Sequence, residues 1–252
     1  MACTDEILQY LQTLLEPERF RDYCPNGLQV QGVDQVSKLV TGVTASQALL
    51  DQAVAEGADM ILVHHGYFWP GEDPTLTGIK RQRLKTLLTH DINLVAYHLP
   101  LDAHPVYGNN AQLAELLDFG VERIISHNKE PGIIFIGYLS QPLSGEGLQQ
   151  HIQHRLGQKP LFIPGHDREV RRIAWCSGAA QDFIDHAADA GVDAFLTGEV
   201  SERTTHIARE RQINFYSAGH HATERFGVKA LGDLLKEKFA LTHWFIDVAN
   251  PV

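Results

Sequence analysis

The stretch ADMILVHHG, residues 58–66, fixes how the chain is organised. Met60, Ile61, Leu62 and Val63 form a short unbroken apolar run between turn-forming residues, the pattern of a strand buried on both faces of a parallel sheet. In open α/β sheets ligands collect just beyond the carboxyl ends of the strands. His64 and His65 therefore stand where a site is expected. Imidazole is the commonest metal-binding side chain, and two in succession at a strand exit can serve one small space. The alternative is that one histidine caps or packs and the other is solvated.

Outward from this strand, residues 38–43 predict another strand. Residues 46–56 predict a helix, with Leu49, Leu50, Ala53 and Val54 on its apolar face and Gly57 as its stop. The loop 66–78 is long for a βα connection and carries Tyr67, Phe68 and Trp69, which suits a lid, a stacking platform or an interface arm. Leu84, Leu87 and Leu88 mark the next helix, and residues 92–96 a strand that runs into YHLPLDAH. His98, Asp102 and His104 fall within seven residues there, and Pro100 stiffens the turn between them. A metal site begun by His64 and His65 lacks a carboxylate, and this exit supplies one.

Near the N-terminus, Ile7, Leu8, Leu11, Leu14 and Leu15 recur at helical spacing, and Pro25-Asn26-Gly27 reads as a structural turn. After a helix at 110–117, the polar stretch 126–132 is the expected boundary between two lobes, residues 1–126 and 127–252, with interleaving allowed. Strands are predicted at 133–139, 172–175, 193–196, 213–217 and 243–248. Helices are predicted at 147–156, 181–190, 203–211 and 222–239. His151 and His154 lie off the apolar stripe of their helix and are expected to be solvated.

The two halves repeat one another. QALLDQAVAEGADMIL (47–62) and QDFIDHAADAGVDAFL (181–196) share Gln, Asp, Ala, Gly, Asp and Leu at matching positions, within the same strand-helix order. Four strand exits become equivalent: HHG, HLPLD, TGE and GHHATE. If the halves face each other across a cleft, His64, His65, Asp102, His220 and Glu224 can converge there, since His220 and Glu224 are one helical turn apart. Five nitrogen and oxygen donors without sulfur suit two transition-metal ions better than one structural zinc. Glu199, in TGE, is a further candidate.

Composition narrows the classes. A formal charge of -10 over 252 residues disfavours a broad nucleic-acid or anionic-membrane surface. The three cysteines are widely spaced and form no C-x-x-C, so neither a disulfide framework nor a thiolate zinc site is indicated, and a reducing cytoplasm fits. No secretory signal and no apolar run long enough for a membrane span is read.

HHG, HLPLDAH and GHHATE, with NGLQV and TGE, together resemble the type 2 GTP cyclohydrolase I-like family, the NGG-interacting-factor-like proteins, over essentially the whole chain. The resemblance implies two related α/β lobes with mixed sheets flanked by helices, a dinuclear metal site in the interlobe cleft and a toroidal homohexamer. It assigns His64, His65, Asp102, His220 and Glu224 as ligands of two divalent ions, iron, zinc or manganese, with Glu224 able to touch both. The implied function is a metal-dependent hydrolase acting on a purine or damaged nucleotide, GTP first. The alternative is a metal-braced scaffold or regulatory interaction protein without catalysis. His98 and His104 are the candidates for proton transfer, the alternative being that they only orient the ligands.

Overall fold

A computed structural model describes residues 1–126 and 131–252. In chain order it contains β1 (Ala2–Cys3), α1 (Thr4–Leu15), β2 (Gly27–Val30), β3 (Gln35–Val36), β4 (Lys38–Thr44), α2 (Gln47–Glu56), β5 (Met60–His65), α3 (Gly78–Thr89) and β6 (Asn93–Ala96). Next come α4 (Leu99–Ala103), α5 (Asn109–Leu117), β7 (Phe119–Ile125), β8 (Ile134–Leu143), α6 (Gly145–Leu156), β9 (Leu161–Ile163) and β10 (Val170–Trp175). The chain continues through α7 (Ile184–Asp189), β11 (Ala194–Thr197), α8 (Glu202–Glu210), β12 (Asn214–Ser217), α9 (His220–Phe239) and β13 (Thr242–Phe245).

Two compact units result, one of residues 1–108 and 227–249, the other of 109–226 and 250–252. A cut after residue 126 meets the segment 127–130, which lies outside the described residues. Among the described residues, hydrogen bonding moves the division. β7 pairs antiparallel with β8, which takes β7 into the second unit's sheet, while β13 pairs with β4 and returns the C-terminal strand to the first.

The first unit has a five-stranded sheet in the order β13-β4-β5-β6-β2, parallel except for the edge strand β2. Its side chains alternate between two cores. Leu39, Met60, Leu62 and Val95 pack with Ile7, Leu11 and Leu15 of α1 and with Val228, Leu231 and Leu235 of α9. Val40, Ile61, Val63 and Leu94 pack on the other face with Leu49, Leu50 and Ala53 of α2 and with Leu84 and Leu87 of α3. Burial on both faces is why these strands read as unbroken apolar runs. Ser46 caps α2 through Leu49 N–H, and Gly57 ends it with a left-handed φ of 67°.

The second unit has a six-stranded mixed sheet, β7-β8-β10-β11-β12-β9. Ile173, Trp175, Leu196 and Tyr216 face α5 and α6, whereas Ala174, Phe195 and Phe215 face α7 and α8. His151 departs from its expected solvation: its Nε2 lies 2.8 Å from the carbonyl of Leu117, so it ties α6 to α5.

The repeat holds in three dimensions. α1-β2-β4-α2-β5-α3-β6 and α6-β9-β10-α7-β11-α8-β12 run in the same order with the same pairing, each ending on an antiparallel edge strand. Asp59 Oδ2 accepts from the N–H groups of Ser37 and Lys38, and Asp193 Oδ2 from those of Arg171 and Arg172. Asn93 Oδ1 accepts from Gly32 N–H, and Asn214 Oδ1 from Gly165 N–H. These side chains tie down the strand entrances and leave the exits free for a site. No helix among the described residues is long and apolar enough to cross a membrane.

His243 gives the first unit a pH dependence. Its side chain is buried, with Nε2 2.8 Å from Thr41 Oγ1 and Nδ1 3.0 Å from Asp233 Oδ1. Burial, joined by the nearby charges of Lys229 and Lys236, lowers its pKa below the ordinary value despite the opposing pull of Asp233. The folded state thus binds this proton less readily than the unfolded chain, so the contribution is present above the ordinary histidine pKa of about 6.5 and is lost as pH falls below it. Urea midpoints measured at pH 7.5 and pH 5.5 should drop at the lower pH, and His243→Gln should flatten that drop. An equal drop in both proteins removes His243 as the cause.

Candidate metal centre

In the first unit two strand exits contribute. β5 ends on His64 and His65, and the parallel ladder to β6 brings the start of α4 beside them. His64 is fully buried and its Nδ1 lies 3.0 Å from the carbonyl of Tyr97. A carbonyl only accepts, so Nδ1 carries the proton and Nε2 keeps its lone pair, the arrangement by which an outer partner orients a metal-binding histidine. Nε2 is 3.5 Å from Asp102 Oδ1, and Asp102 is itself buried. Asp102 sits on α4, a five-residue helix whose second position is Pro100, where the sequence suggests only a stiffened turn.

His65 follows half-exposed, its Nδ1 3.2 Å from Thr44 Oγ1. One ligand-capable nitrogen from each of His64, His65 and His98 lies within 4.8 Å of the others. His98 is fixed from behind by Asp22, whose Oδ1 is 2.6 Å from His98 Nδ1. Asp22 also accepts from Asn26 Nδ2 and from the N–H of Leu99. Burial alone would raise the Asp22 pKa, but His98 and these donors together hold it below the usual carboxylate value. Asp22 escapes sequence reading because its partner lies 76 residues away and nothing in ERFRDYC sets it apart.

His104 lies apart from these donors. It caps α4, and its Nδ1 accepts from the N–H groups of Val106 and Tyr107. Burial lowers its pKa. Among the described residues no group of metal-competent donors includes it.

The aromatic loop separates into three roles. Tyr67 is buried, donates to the carbonyl of Ala45 and is no exposed platform. Phe68 lies under Lys80, 5.4 Å from ring centroid to Nζ. Trp69 alone turns to the histidines, edge-on to His98 at 5.2 Å, with its indole N–H on the carbonyl of Gly66.

In the second unit α9 begins at His220, two residues earlier than the sequence suggests, so His220 and Glu224 are both helical. His220 Nε2 is 3.1 Å from Glu224 Oε2, and its Nδ1 is 2.7 Å from Glu199 Oε1. Glu199 follows β11 at the place in the repeat that His65 occupies after β5, and it orients the His220 ring. Burial would lower the His220 pKa, but Glu224 and then Glu199 outweigh it and raise it to about 9. This pair of carboxylates thus makes a place for positive charge. Glu224 is almost fully buried, and its carboxylate lies against Gly178, where a β-carbon would collide with Oε1. Gly178 is the second residue that sequence reasoning misses.

The donor chemistry of each unit suits a divalent cation: oriented imidazoles beside buried carboxylates, while Cys24, which groups with Asp22 and His98, is held as a thiol by burial that pushes its pKa up to about 12. The sequence pattern of Duf34/NIF3 (NGG1p interacting factor 3) matches residues 2–251. A Pseudomonas aeruginosa protein named GTP cyclohydrolase 1 type 2 homolog is 56% identical over 237 residues, 94% of each chain. An Escherichia coli K12 protein of the same name is 56% identical over 247 residues, 98% of each chain. Among solved structures, one described as protein ybgI, of unknown function, superposes with a TM-score of 0.95 at 54% identity and covers 100% of both chains. A Thermus thermophilus protein, TTHA1606, superposes with a TM-score of 0.88 at 34% identity, again over 100% of both chains. With that pattern matched over residues 2–251, this chain belongs to the Duf34/NIF3 family.

Proposed function

We propose that the protein is a dinuclear metal-dependent hydrolase acting on a purine nucleotide or a damaged relative, with GTP the first candidate. The observation that carries this reading is His64, buried, oriented through Nδ1 by the Tyr97 carbonyl and set with Nε2 toward the buried carboxylate of Asp102. The name GTP cyclohydrolase 1 type 2 homolog, borne by relatives 56% identical, supports the choice of substrate class.

In this reading His64, His65 and Asp102 of one unit and His220 and Glu224 of the other would hold two divalent ions of iron, zinc or manganese in the cleft between the lobes. Glu224 would be able to serve both, because a carboxylate has two oxygens. Such ions supply Lewis acidity and lower the pKa of a water for attack on an electrophilic carbon or phosphorus. Glu199 holds the His220 ring in orientation through Nδ1. Proton transfer falls to His98 and His104, His98 first because Asp22 fixes its ring beside His64 and His65.

Metal analysis of freshly purified protein, followed by turnover of GTP with that metal restored, tests the reading. The expected result is two transition-metal ions per chain and GTP consumption that a chelator abolishes. One ion or none after careful reloading removes the dinuclear centre. Two ions with no turnover of any nucleotide leaves a metal-braced scaffold instead.

The reading also takes the protein as a toroidal homohexamer of the reducing cytoplasm, in keeping with three free cysteines. Light scattering behind size exclusion should give six times the chain mass; a stable monomer at micromolar concentration refutes the assembly.

A further inference from the structure

The loop 66–77 and the first turns of α3 border an open cavity of about 300 Å³ whose lining includes Tyr67, Glu72, Asp73, Thr77, Lys80 and Arg83. It lies wholly within the first unit and contains none of the donors assigned to metal. Arg83 is its unexplained member. Its Nε is buried and, among the described residues, donates no hydrogen bond. The Tyr67 ring, 6.0 Å from the guanidinium carbon, offsets part of the charge but gives Nε no acceptor in the ring plane. A guanidinium presents a rigid fork of donors, and burying part of it without an anion is unfavourable unless one arrives.

The two acids in the lining are engaged within it, and an incoming anion competes with Glu72 for Lys80. Glu72 Oε2 is 3.3 Å from Lys80 Nζ, and Asp73 Oδ1 accepts from both the N–H and the hydroxyl of Thr75. One wall is the start of α3, which also carries Lys80 and Arg83. Its N-cap Thr77 makes no side-chain capping bond and its first turn holds no acidic residue, so the positive end of the helix dipole adds to the field of Arg83 and Lys80.

We propose that this cavity seats a phosphoryl oxyanion, borne by a phosphate ester or free as orthophosphate, with the Arg83 fork as its principal ligand and Lys80 as the second charge. The Arg83 fork, the Lys80 ammonium and the Thr77 hydroxyl all issue from the start of α3, and together they offer an oxyanion several donors. The volume exceeds that of orthophosphate, so an ester fits as well.

The test is calorimetric titration of metal-loaded protein with orthophosphate and, separately, with methyl phosphate. Wild-type protein should saturate one site, and Arg83→Gln should weaken it at least tenfold while keeping wild-type metal content and melting temperature. Arg83→Lys, which keeps the charge and loses the fork, should fall between them. Asp102→Asn should retain the site, which separates this result from the fate of the metal centre. The tighter of the two probes identifies the source of the phosphoryl group. If Arg83→Gln does not fold, Lys80→Gln replaces it, with at least threefold weakening expected. Binding that never saturates, that is lost only in Asp102→Asn, or that is unchanged in the Arg83 and Lys80 variants overturns the proposal.

Discussion

Glu224→Gln is expected to lose or loosen one of two bound metal ions while the chain folds as before. Glu224 is almost fully buried with Oε2 3.1 Å from His220 Nε2, and one turn of α9 sets their spacing. Glutamine keeps the volume but removes the charge and one of the two oxygens. Loss of even an outer-shell partner costs about 10–100-fold in metal affinity, so loss of a shared ligand should cost at least that. Hydrolytic activity should fall by orders of magnitude, because both ions act on the same water in the proposed reaction. The His220 ring also loses the carboxylate that contributes most to raising its pKa to about 9, so in metal-free protein its titration should move down toward the ordinary histidine value. Metal stoichiometry and the His220 titration by NMR check the two halves of this expectation. Retention of both ions at wild-type affinity ends the shared-ligand assignment.

Gly178→Ala should be damaging for a reason found only in three dimensions. Gly178 has φ of +66°, and an added β-carbon would meet the Glu224 carboxylate. The backbone has no freedom to retreat: Gly178 N–H donates to Thr223 Oγ1, and its carbonyl accepts from Gly198 N–H, Glu199 N–H and the Thr197 hydroxyl. Left-handed strain and overpacking together should lower stability by about 2–4 kcal/mol, with displacement of Glu224 and loss of metal. Gly157→Ala is the control, since Gly157 shares the positive φ of 76° but has open space around its missing β-carbon. It should lose only about 1 kcal/mol and keep its metal. Equal losses in the two variants would leave backbone conformation, not the contact with Glu224, as the explanation.

The legible parts of this molecule are those with local signatures. β5 is visible because its four apolar residues are buried on both faces, and α2 because Ser46 and Gly57 bracket an amphipathic stretch. Asp59 and Asn93 stand out in the sequence only as repeated letters; the structure shows that they bind the loops entering each sheet. β7 is missed because it is an edge strand with the exposed residues Val121, Glu122, Arg123 and Ile124, so neither an unbroken apolar run nor strict alternation marks it. The site is legible as residue types at strand exits, but the parts that orient them are not. Asp22 behind His98, the Tyr97 carbonyl behind His64 and Gly178 beneath Glu224 depend on contacts between segments far apart in sequence. The five residues named as ligands divide three and two between the units, which follows from the repeat.

The paired clamps at the strand entrances also bear on how such a chain can change over time. Asp59 with Asn93 and Asp193 with Asn214 hold the same loops in each half, and Gly32 and Gly165 both pass so close to a neighbouring backbone that a β-carbon would clash. The opposite ends have drifted apart: two histidines end β5 where glycine and glutamate follow β11, and a five-residue helix follows β6 where a twenty-residue helix follows β12. A duplicated scaffold fastened at one rim lets each copy accept substitutions at the other rim without unfolding its twin. Transplanting the HHG exit onto the second half should therefore give a folded chain with altered chemistry, whereas exchanging either aspartate clamp should cost the fold itself.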